Sequence, residues 1–105
     1  SRAMELTVAT DVTNAALQVE NGLKRYEAAT AARSLAQTRL QAEQSRFDVG
    51  LSTNFFVVQA QRDLSTAQNS ELRALLDYRR ALVDFARVQE APANRGGGIT
   101  TVTGN

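Results

Sequence analysis

Apolar side chains return at helical spacing along most of this chain. In the first half, Val12, Val19 and Tyr26 fall seven apart, and Leu40 and Phe47 continue the line. A second line runs beside it through Val8, Ala15 or Ala16, and Leu23. Arg33 interrupts the first line, so that position is expected to face water or a partner. The second half repeats the pattern with Val57, Leu64, Tyr78 and Phe85, flanked by Ala60, Ala67, Ala74 or Leu75, and Leu82; Glu71 is its interruption. Sevenfold spacing held over several turns marks helices that pack along a shared seam. The pattern predicts an all-α chain, a long antiparallel helical hairpin of coiled-coil type.

Glycine and proline place the boundaries. Gly22 is the only breaker between residues 5 and 48, and there is none from residue 52 to residue 90. Val49-Gly50-Leu51 makes a tight turn, with Gly50 suited to the left-handed conformation at a helix C-terminus. Ser52, Thr53 or Asn54 can cap the next helix. Pro92 stops it, and Arg95-Gly96-Gly97-Gly98 opens a polar stretch. The reading is therefore a cloning scar over residues 1–4, a helix over about 5–48, a turn over 49–52, a helix over about 53–90, and a flexible tail over 91–105. A helix of about 40 residues is about 60 Å long.

The second helix carries another apolar line, Leu72, Leu76 and Val83, away from the first. A helix with two apolar faces packs against two neighbours, which suggests a sheet or barrel of helices. Composition agrees. Aromatics are 6% and Trp is absent, so little bulky material exists for a monomeric core. Self-association is expected, as a dimeric four-helix bundle or a larger array.

Charge and candidate chemistry mainly exclude. The net charge is +1 with both signs interspersed, which leaves no electrostatic footprint for nucleic acid. His and Cys are both absent, so a catalytic triad, a thiolate metal site and a two-His metal site are excluded, and no cofactor or metal is expected. The carboxylate pairs Glu20/Glu27 and Asp77/Asp84 read as solvated faces. The chain is not expected to be an enzyme. No apolar run approaches the length of a membrane span. One segment stands out: the turn Val49-Gly50-Leu51-Ser52-Thr53 is apolar for an exposed loop, and Phe55-Phe56 follows it. The two phenylalanines fit either a hydrophobic staple or an exposed contact. The turn fits either a plain hairpin or a docking knob for another protein.

The stretch Arg46-Phe47-Asp48-Val49-Gly50-Leu51-Ser52-Thr53, followed by Val57-Val58-Gln59-Ala60-Gln61-Arg62-Asp63-Leu64, resembles the TolC-type outer-membrane efflux proteins. Ala67, Ala74, Tyr78, Ala81 and Leu82 continue the resemblance downstream, as do Ala36, Leu40 and Ala42 upstream, so that it covers about residues 8 to 90. It implies a trimeric channel of a Gram-negative-type bacterium whose β-barrel crosses the outer membrane and whose α-helical barrel projects into the periplasm. This chain would be a fragment of that α-barrel, one hairpin of its tip. The tip docks a periplasmic adaptor (membrane-fusion) protein, which couples it to an inner-membrane pump.

Carried over, the resemblance places Val49, Gly50, Leu51, Ser52 and Thr53 in the adaptor-docking turn. Phe56 and Gln59 take the places of two aspartates that line the pore constriction, so an acidic ring is not expected. Phe47 and Ser52 take the places of a tyrosine and an arginine that latch the closed tip. The alternative is a self-associating helical-hairpin scaffold without a transport role; an apolar turn and a second apolar face are not needed for that.

Overall fold

The computed structural model describes the backbone of residues 2–104 and the side chains of residues 2–90. Two helices, α1 (Arg2–Asp48) and α2 (Asn54–Gly104), form a helical hairpin, with no strand among the described residues. The sequence reading ends the second helix before Pro92, and α2 instead continues past it. A proline lacks one amide donor, which removes one bond from the ladder but leaves the turns beyond it able to form. The tail expected over residues 91–105 otherwise lies outside the residues whose side chains are described.

The chain divides into two compact units, Lys24–Leu76 and the pairing of Ser1–Leu23 with Asp77–Asn105. In the first, the half-buried or buried side chains of α1 are Tyr26, Ala29, Thr30, Arg33, Ala36, Leu40 and Glu43. Those of α2 are Val57, Val58, Ala60, Leu64, Ala67, Glu71, Ala74 and Leu75. In the second unit they are Val8, Val12, Ala15, Val19 and Gly22, with Tyr78, Ala81, Phe85 and Val88. Spacings of three and four alternate along both helices, as an antiparallel seam requires.

The seam is built from one row of large and one row of small residues on each helix. The small rows are Ala15, Gly22, Ala29 and Ala36 on α1, and Ala60, Ala67, Ala74 and Ala81 on α2. Small residues let backbones approach closely, and three of the four deepest apolar side chains, Ala15, Ala36 and Ala81, are alanines; the fourth is Val57. Three expectations change here. Gly22, not Leu23, takes the seam position, and a Cβ at Gly22 would stand 3.5 Å from the Cα of Tyr78. Ala81, not Leu82, takes the matching position on α2; Leu23 and Leu82 are exposed. A close backbone approach has no room for a leucine where alanine or glycine suffices.

The third change concerns Arg33. It does not turn to water: its Nε donates to Glu71 Oε1 at 3.2 Å, with the two side chains 29% and 22% exposed. Arg33 also donates to Gln37 Oε1 at 3.0 Å. The two interruptions of the apolar pattern are thus one ion pair inside the seam. The line Leu72, Leu76 and Val83 stands exposed, as the pattern predicts.

Candidate functional site

The candidate site is the turn between the helices, within the unit Lys24–Leu76. Its backbone is a Schellman cap. Gly50 has φ +80°, the Gly50 N–H donates to the Phe47 carbonyl at 3.0 Å, and the Leu51 N–H donates to the Arg46 carbonyl at 2.7 Å. Together these bonds satisfy carbonyls that the end of α1 would leave unpaired. Glycine is required here by the left-handed backbone and not by crowding, since a Cβ at Gly50 would meet nothing within 4 Å. Thr53 takes the N-cap place of α2: its carbonyl accepts from Phe56 N at 3.1 Å and Val57 N at 3.2 Å.

A polar network holds the turn. The Ser52 hydroxyl donates to Glu43 Oε2, and Arg46 Nε lies 3.8 Å from the same oxygen. Arg46 Nη2 donates to the Leu51 carbonyl at 3.4 Å. Sequence reading missed Glu43 and Arg46. The signal was present for Glu43, which falls seven after Ala36 and so puts a charge in the small-residue row one layer before the turn.

Apolar side chains surround this network and face outward. Val49 is 70% exposed, Leu51 69% and Phe55 68%; Phe56 and Phe47 are exposed as well. Phe55 and Phe56 meet edge to face, with ring centroids 5.4 Å apart at 75°. A staple would need an apolar residue just before the N-cap, and that residue is Ser52, so the pair forms no staple and both rings stand exposed. Covering one large apolar side chain is worth about 1.5–3 kcal/mol, so the tip carries a substantial driving force for association.

Phe56 and Gln59 share a shallow groove with Arg39, Ala42, Glu43, Ala60 and Asp63. Gln59 Nε2 donates to Asp63 Oδ1 at 3.4 Å. The aspartates that the resemblance would put at 56 and 59 are absent, yet an acid stands one turn further along α2. Its signal was the four-residue spacing from Gln59. Among the described residues no group of three or more acids gathers in a way that could hold a metal ion, and no helix is long and apolar enough to cross a membrane.

A family model described as outer membrane efflux protein matches residues 1–88. No curated protein and no solved structure matches the chain.

Proposed function

We infer the role of this chain from its kinship: it belongs to the outer membrane efflux protein family. Within that family we assign it to the periplasmic tip of the channel's α-barrel, in the outer membrane of a Gram-negative-type bacterium. The turn at Gly50 docks the helical-hairpin tip of a periplasmic adaptor protein. Three such chains, with the rest of the channel, line the exit duct for substrates delivered by an inner-membrane pump.

The observation that carries this reading is the exposed apolar turn. Val49 and Leu51 flank a glycine with open space above it. A partner helix tip can meet the backbone there and cover both side chains. Leu51→Asp is the sharper test, because Gly50→Glu adds backbone strain at a positive φ. Leu51→Asp should weaken binding of an isolated adaptor hairpin by about tenfold or more, or about 1.4 kcal/mol. Helicity by circular dichroism should not change. Undiminished affinity would remove the docking role.

The self-associating scaffold has its own support in the exposed line Leu72, Leu76 and Val83 on α2. The same face would pack against a neighbouring hairpin in a barrel. Leu72→Glu with Leu76→Glu should lower the mass measured by sedimentation toward the monomer. A wild-type chain that is already monomeric would refute self-association through this face. If adaptor binding fails and association persists, the scaffold is the better description.

A further inference from the structure

The Schellman cap usually comes with an apolar contact: the side chain just past the glycine folds back onto the last turn of the helix. Here that residue is Leu51, and it is 69% exposed. The contact that normally fastens the motif is therefore weak, and something else must hold the turn. The polar network links the turn back to α1. Glu43 receives the Ser52 hydroxyl and lies beside Arg46, while Arg46 reaches the Leu51 carbonyl. Both links span the turn, from α1 to the residues immediately after Gly50.

We propose that Glu43 is the positioning residue of the docking turn, fastening Ser52 and, through Arg46, the Leu51 backbone so that the Leu51 side chain stays outward for the adaptor's helix tip. This rests on the docking reading above. Glu43 suits the task chemically. A carboxylate can accept from the Ser52 hydroxyl and attract the Arg46 guanidinium at the same time, and bonds to a charged acceptor are the stronger kind. Its side chain is only a quarter exposed, which limits competition from water. Ser52, which by resemblance replaces a latch arginine, serves a different purpose in this arrangement: its hydroxyl closes the turn of its own hairpin.

The test uses the full chain with Glu43→Gln, Ser52→Ala, the double variant and Ser52→Thr. Amide hydrogen exchange is read at Gly50 and Leu51, whose N–H groups make the cap, and at Ala29 and Ala36 as a reference. Binding is read with an isolated adaptor hairpin, with Leu51→Asp as the docking control. Glu43→Gln and Ser52→Ala should each speed exchange at Gly50 and Leu51 by about tenfold, as the loss of one charge-assisted bond implies. Exchange at Ala29 and Ala36 should stay unchanged. Hairpin binding should weaken several-fold, the double variant should be no worse than the poorer single, and Ser52→Thr should restore both readouts.

Unchanged turn exchange in Glu43→Gln overturns the proposal while leaving docking intact if Leu51→Asp still loses binding. Faster turn exchange with undiminished binding overturns the positioning role. Equal acceleration at Ala29 and Ala36 also overturns it, since Glu43 would then support only the helix pair as a whole. A wild-type chain that does not bind the hairpin, or a Leu51→Asp variant that binds as well as wild type, removes the docking reading and this proposal together, whatever the exchange shows.

Discussion

At the Arg33–Glu71 layer two charged side chains sit inside an apolar seam; at the Gly50 tip five large apolar side chains stand outside it. Both regions belong to the same compact unit. In the seam, each charge is tolerable only because the other is opposite, so the pair specifies which residues face each other more than it adds stability. At the tip, exposed apolar area raises the free energy of the isolated chain and becomes favourable only when covered. The seam layer is complete within one chain. The tip leaves its apolar side chains uncovered within the chain.

The strongest way to break this contrast is at the seam. Arg33→Leu alone leaves Glu71 without its cation in a part-buried place and should cost about 2 kcal/mol, discounted from a fully buried pair because both side chains keep some water. The variant with both Arg33→Leu and Glu71→Leu should recover most of that loss. Thermal or urea unfolding of the wild type and the two variants checks it; a double variant as poor as the single would mean that the layer needs its charges. No comparable recovery is expected for a charge placed at Leu51, whose side chain is exposed and has no charged residue opposite it in the seam.

The two glycines sharpen the contrast with smaller effects of opposite sign. Gly50→Ala should destabilise by about 1 kcal/mol through the positive φ alone, since nothing crowds its Cβ. Gly22→Ala should stabilise by about 0.5–1 kcal/mol, because α1 is helical there and the new methyl group meets Tyr78 at ordinary contact distance. Unfolding midpoints of the two variants that move in the same direction would contradict this account.

Much of this architecture was legible in the residue pattern. The sevenfold lines, Gly50 as the turn and the outward line of Leu72, Leu76 and Val83 need only helical geometry. The seam's small row was harder. Gly22 and Leu23, like Ala81 and Leu82, are adjacent and both lie within reach of the seam, and a hydrophobicity rule chooses the larger residue. Close backbone approach chooses the smaller one. Arg33 and Glu71 were each recognisable as interruptions, but pairing them needs the register of one helix on the other, which spacing within a helix does not contain. Glu43 was visible as a charge in the small-residue row, but its bond to Ser52 across the turn was not, for the same reason.

The cap has a consequence for the order in which the molecule assembles. The links that fasten the turn join residues five to nine apart, whereas Arg33 and Glu71 are 38 apart. Loop-closure entropy grows with the length closed, and short loops close on the fastest timescales available to a chain. Pairing is therefore expected to start beside Gly50 and to spread layer by layer toward the distant ends. Stopped-flow refolding should find Glu43→Gln slowing the folding rate, while Val12→Ala should chiefly hasten unfolding; the reverse pattern would place the nucleus elsewhere.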